Sequence, residues 1–131
     1  MKQLFIALFS LLTIYINAQN WQQFTDSIPT LSSPRTTDLN GDNILDIVIG
    51  GGTDSVYSSN GVMAYNGIDG ALLWKRGARD EMFGSAIFQD ITGDGIQDVF
   101  ITGRSAQLLA INGIDGSLIW EFFPSNLNPA D

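Results

Sequence analysis

Asp38–Gly52 reads DLNGDNILDIVIGGG, and fifty-two positions later Asp90–Gly103 reads DITGDGIQDVFITG. Each stretch sets oxygen-bearing side chains at alternate positions of a short loop and then runs straight into an apolar, β-branched strand. Counting from Asp38, the side-chain oxygens are those of Asp38, Asn40, Asp42 and Asp46, with the Ile44 carbonyl between the last two. The second loop supplies Asp90, Thr92, Asp94, the Ile96 carbonyl and Asp98. Alternate positions on a tightly curled loop aim their oxygens inward. Such a set of hard oxygen donors suits Ca2+, which takes six to eight of them, better than Mg2+ with its strict octahedron. Position 6 of such a loop needs positive φ, which Gly95 supplies in the second copy and Asn43 tolerates in the first. An EF-hand is excluded, because its bidentate Glu would fall at position 12, where Ile49 and Ile101 stand. One loop alone could be a set of metal-free Asx turns. Two copies with the same nine-residue spacing predict two calcium sites.

The repeat extends beyond the loops. Ala64-Tyr65-Asn66-Gly67-Ile68-Asp69-Gly70 and Trp74 recur as Ala110-Ile111-Asn112-Gly113-Ile114-Asp115-Gly116 and Trp120 at an offset of 46. The drop from 52 to 46 is a six-residue insertion in the first copy, within Thr53–Asn60, which reads as an extended surface loop. In the second copy, strands are expected at Gly84–Phe88, Asp98–Thr102, Ala106–Ile111 and Ser117–Glu121, with Asn112–Gly116 as a hairpin loop. Four antiparallel strands in a unit of about fifty residues form a propeller blade. The expected fold is all-β: a partial β-propeller of two four-stranded antiparallel blades plus one orphan N-terminal strand. Residues 32–79 form the first blade and 80–123 the second. Asn20–Phe24, within 19–31, is the orphan outer strand of a closing blade, and 124–131 begin a further blade. The expected molecule is thus a segment, completed by the remaining blades of a longer chain or by self-association.

Composition narrows the function classes. The chain has neither Cys nor His, so disulfides, zinc fingers, Cys nucleophiles and His bases are excluded. Six Lys and Arg against fourteen Asp and Glu give a net charge of −8, which disfavours nucleic acid. Six of the fourteen acids lie in the two loops, so the acidity is partly local and calls for a cation. At the N-terminus, Lys2 precedes the apolar run Leu4–Ile16, and Asn17-Ala18 offers a small-residue exit. This is the pattern of a secretory signal peptide over 1–18, and the run is too short for a span of about 20 residues. Cleavage removes Lys2 and takes the charge from −8 to −9. The mature chain is expected to be secreted (extracellular, at the cell surface or periplasmic), with no stable membrane insertion.

Two resemblances follow from these residues. FGSAIFQDITGDGIQDVFITG, Phe83–Gly103, resembles the FG-GAP repeat of integrin α-subunit propellers, with Phe83-Gly84 as the name-giving pair. The first copy departs from it, with Ser33-Pro34 where Gly-Ala is the family pattern. This resemblance implies a calcium-binding propeller that acts as an adhesion-like module toward a protein or carbohydrate ligand. AYNGIDGALLW and AINGIDGSLIW resemble the tryptophan-docking repeat of pyrroloquinoline-quinone-type propellers, which implies that Trp74 and Trp120 wedge between blades. A fragment of a quinoprotein-like or polysaccharide-degrading secreted enzyme is the alternative. No catalytic residue is assigned within the chain, and Arg79-Asp80-Glu81 reads as an exposed, solvated charge cluster between units.

Overall fold

The computed structural model describes residues 21–25 and 27–124, so the expected signal peptide and the 125–131 segment lie outside the described residues. Eight strands form two antiparallel sheets of four, each in the order in which its strands occur in the chain. The first sheet comprises β1 (Arg35–Thr37), β2 (Asp46–Gly50), β3 (Ser58–Tyr65) and β4 (Leu72–Ala78). The second comprises β5 (Ile87–Gln89), β6 (Asp98–Thr102), β7 (Leu108–Ile111) and β8 (Leu118–Phe122). These are two successive blades of a partial propeller, all-β in class. Among the described residues no helix is long and apolar enough to cross a membrane.

The sequence repeat is a repeat of register. Arg35 faces Val48 as Ile87 faces Phe100, at the offset of 52. Ile47 faces Tyr65 as Val99 faces Ile111, and here the second partner is already displaced by 46. Ala64 faces Trp74 as Ala110 faces Trp120, and each blade then carries a bulge one residue later. The whole change of offset is therefore absorbed between β2 and β3. The same offset makes Ser32, rather than Ser33, the equivalent of Gly84. Gly84 donates its N–H to the Thr102 carbonyl at 2.9 Å, whereas at the matching place in the first blade Gly50 donates to the Ser32 hydroxyl at 3.1 Å. A side-chain hydroxyl thus takes part at the entry of the first blade where the second uses a backbone–backbone bond.

Three expectations shift. The third strand of the second blade starts at Leu108 and not at Ala106, because Ser105 and Ala106 take positive φ in a short turn and cannot join a ladder. The first strand is shorter than expected, Ile87–Gln89. The insertion is not wholly a surface loop. It makes a tight Thr53–Val56 bridge, and its Ser58–Asn60 end extends β3, with Ser58 and Asn60 buried.

The core lies between the blades. Side chains alternate across a strand, so each sheet has two faces. Val48, Ala64 and Trp74 form one row of the first blade and are buried, as are Val99, Ile101, Leu109 and Ile111 of the second. They belong to one cluster, with Met82 and Ala86 from the connection between the sheets. Burying that apolar surface at about 25 cal/mol per Å2 is the main favourable term holding one blade to the next. The row Phe100–Ala110–Trp120, equivalent to Val48–Ala64–Trp74, lies on the far face of the second blade. There Trp120 is 40% exposed, against 6% for Trp74, and packs its ring 5.9 Å from that of Phe100. Trp120 therefore does not wedge between sheets among the described residues. Trp21–Phe24, the described part of the expected orphan strand, takes no strand conformation and enters neither sheet.

Candidate functional site

Both acidic loops are curled by left-handed residues at the positions where the sequence requires them. Asn43 has φ of 66° and Gly95 of 91°, with Gly41 and Gly93 at 79° and 76°. The curl turns backbone N–H groups inward, and the first carboxylate of each loop collects them. Asp38 accepts from Gly41 at 2.7 Å, Asn43 at 2.9 Å and Asn40 at 3.2 Å. Asp90 accepts from Gly93 at 2.6 Å and Gly95 at 3.0 Å, with the Thr92 hydroxyl at 3.4 Å. Asn40, Asp42 and Asp94 each accept from the N–H two residues on, the geometry of Asx turns. Partial desolvation pushes the Asp38 carboxyl up, but the N–H groups of Asn43, Gly41, Asn40 and Asp42 outweigh it and hold the group below its ordinary 3.8. At Asp90 the N–H groups of Gly93 and Gly95 dominate and have the same effect. Both loops therefore keep a carboxylate charged at their mouth.

The ninth residue of each loop behaves differently. Asp46 and Asp98 are fully buried and turn into the blade. Asp46 accepts from the Leu39 N–H at 2.8 Å and, with its other oxygen, from the Gly67 N–H at 3.0 Å. Asp98 accepts from Ile91 and Thr92 at 2.9 and 3.0 Å and from Gly113 at 3.2 Å. Each thus ties the acidic loop to the Asn-Gly-Ile-Asp-Gly turn of its own blade. A buried carboxylate without such donors would cost several kcal/mol, so this bonding is obligatory. Asp46 and Asp98, expected only as ligands, thus carry a second, structural duty. Their position at the start of a buried strand was the available signal.

The same turns receive tryptophans from the preceding unit. Trp74 donates its indole N–H to the Gly113 carbonyl at 2.7 Å, and its ring lies where a Cβ on Gly116 would stand, 2.9 Å from that point. Trp21 donates to the Gly67 carbonyl at 3.2 Å, and its ring lies 2.4 Å from the Cβ position of Gly70. A side chain at Gly70 or Gly116 would expel the indole. Residue Gly113 thus links two bonds, one from its N–H to Asp98 and one to its carbonyl from Trp74. The acidic loop and the joint between blades share one residue.

Every sequence-assigned donor is an oxygen on a nine-residue loop, a chemistry that fits Ca2+. Asp38, Asn40, Asp42 and Ile44, and likewise Asp90, Thr92, Asp94 and Ile96, share one loop each; Asn40, Asp42, Ile44, Thr92 and Asp94 are exposed, Asp38, Asp90 and Ile96 are half-buried, and Asp46 and Asp98 lie beneath. Here Asp38, Asn40, Asp42, Asp90 and Asp94 accept from N–H groups of their own loops, Asp46 and Asp98 accept also from the turns beyond, and among the described residues no three carboxylates converge into a metal-holding cluster.

The charge cluster at the blade connection corrects an expectation. Asp80 and Glu81 are not solvated: they are 6% and 4% exposed. Asp80 accepts from the Ser55 N–H at 2.7 Å, the Glu81 N–H at 2.8 Å and the Ser105 hydroxyl at 3.0 Å. Glu81 pairs with the Arg104 guanidinium at 2.7 Å, which also lies 3.5 Å from Asp54. Burial pushes the Asp80 carboxyl up, but the Ser55 and Glu81 N–H groups, the Ser105 hydroxyl and the Arg104 charge together hold it below 3.8. No protein-family model matches the chain, and comparison with curated proteins finds no match.

Proposed function

We propose that the chain is a propeller segment of an exported protein, stiffened by two calcium ions and acting as a binding module toward a protein or carbohydrate. One observation carries this reading. Two acidic loops of identical spacing and backbone curl each end on a buried Asp that holds the turn receiving a neighbouring tryptophan. An ion held by Asp38, Asn40, Asp42, Ile44 and Asp46, and another by Asp90, Thr92, Asp94, Ile96 and Asp98, would neutralise carboxylates that otherwise repel one another. Because the ninth ligand is also the tie to the blade joint, ion binding would rigidify the joint. The FG-GAP resemblance of Phe83–Gly103 supports the same reading, and the Met1–Ala18 pattern supports export.

Calorimetry of the exported chain in EDTA and then in excess calcium tests it. The expected result is a rise in melting temperature with two ions bound per chain, since metal binding to such loops is linked to folding. An unchanged melting temperature would sink the calcium reading.

A further inference from the structure

The molecule is acidic, yet three of its six basic residues fall within five positions, Lys75, Arg76 and Arg79. They border a cleft of about 490 Å3 between β4 of the first blade and β8 of the second. That volume lies in the range of small-ligand sites, about 300–1,000 Å3. Arg79 is neutralised there: it meets Glu121 at 3.0 Å, and Gln107 donates to the same carboxylate at 2.7 Å while accepting the Arg79 N–H at 3.2 Å. Arg76 is not. Among the described residues its guanidinium has no ion pair and no hydrogen bond, although it is half-buried. Five N–H donors in a fixed fork beside a cleft favour a planar carboxylate.

Tyr57 also lines this cleft and is 70% exposed. It belongs to the insertion that the second blade lacks. Its hydroxyl lies over Gly77, where an added Cβ would come within 2.3 Å of it. Two buried acids hold this segment in place, through the Ser55 N–H on Asp80 and through Arg104, which joins Glu81 to Asp54. Burying two carboxylates is a costly way to fix a surface turn. The cost is explained if the turn must present Tyr57 at one position. An exposed aromatic ring beside a cationic fork offers an apolar platform with a polar edge.

We propose that this cleft binds an acidic sugar, with its carboxylate on Arg76 and its ring against Tyr57. The proposal deepens the binding-module reading by naming the ligand class, and it rests on that reading only for the supply of such a ligand outside the cell. It requires no ion in the acidic loops.

The test is isothermal titration of the exported chain, in whatever assembly it forms, with glucuronate, glucose and acetate as probes. Glucuronate should bind saturably, and both glucose (no charge) and acetate (no ring) should bind much more weakly. Arg76→Gln should weaken glucuronate by about tenfold to a hundredfold, the worth of a charged hydrogen bond. Arg76→Lys should fall between the two, and Tyr57→Ala should weaken glucuronate with an unchanged melting temperature. Absent saturable binding, or binding that Arg76→Gln leaves unaltered, overturns the proposal. The two readings fail separately. Calcium-raised melting without glucuronate binding rejects only the acidic sugar, and glucuronate binding without any calcium effect rejects only the ions.

Discussion

Trp74 on the last strand of the first blade gives its indole N–H to the Gly113 carbonyl in the second, 2.7 Å away and thirty-nine residues on. The same contact recurs between Trp21 and Gly67, so the link between units is a repeated element in its own right. It works because Gly116 and Gly70 leave the ring a floor without a side chain. Replacing Trp74 by Ala should destabilise the chain by about 3–5 kcal/mol, the usual cost of emptying a buried aromatic site. Trp74→Phe should cost less, since the apolar volume is mostly kept and only the N–H bond is lost. Chemical denaturation of the three proteins measures both, and equal stability for Trp74→Ala would contradict the packing described.

Calcium stoichiometry should be separable loop by loop. Asp46 and Asp98 are poor reporters, because their removal leaves Gly67 and Gly113 N–H groups without acceptors and weakens the blade itself. Asp42 and Asp94 are exposed and make only local turns, so Asp42→Asn and Asp94→Asn keep an acceptor oxygen and lose the charge. Each substitution should lower binding from two ions to one with little change in EDTA-state stability. Retention of two tight sites in both variants would count against the ligand assignment.

Stability should depend on Asp80 in acid. Its folded-state carboxyl lies below the ordinary 3.8, so the unfolded chain binds the proton more readily. The stabilisation is therefore complete at pH values above the unfolded value and disappears as pH falls through the folded one. The difference in melting temperature between the wild type and Asp80→Asn should be constant near neutral pH. It should shrink once the pH drops below 3.8. A difference that grew in acid would reverse the sign and refute the bonding assigned to Ser55, Glu81 and Ser105.

The far face of the second blade should be adhesive. Trp120 and Phe122 are 40% and 56% exposed beside the half-buried Phe100, whereas Trp74 and Val48, the first-blade equivalents of Trp120 and Phe100, are buried. Exposed apolar patches of this kind associate. Sedimentation velocity with calcium present should show the chain self-associating, and Trp120→Glu should shift the population toward monomer. A monomeric wild type that melts cooperatively would show that two blades suffice alone.

Much of this architecture was legible from spacing. Offsets of 52 and 46 marked two equivalent units of four strands, because residues that repeat at a constant interval occupy equivalent registers. Asn43 and Gly95 announced the loop curl, since few other residues accept the backbone angle it demands. Both signals are local, carried by neighbours along the chain. What the chain alone could not disclose depends on residues brought together by folding. Asp80 and Glu81 looked like solvated charges until the insertion and Arg104 closed over them. Asp46 and Asp98 looked like ligands only, yet each also holds a turn at least fifteen residues away. Trp74 and Trp120 are equivalent in sequence, and only the position of a neighbouring sheet decides that one is buried and the other open. Burial is a property of what packs against a residue, and that partner is set by the tertiary structure.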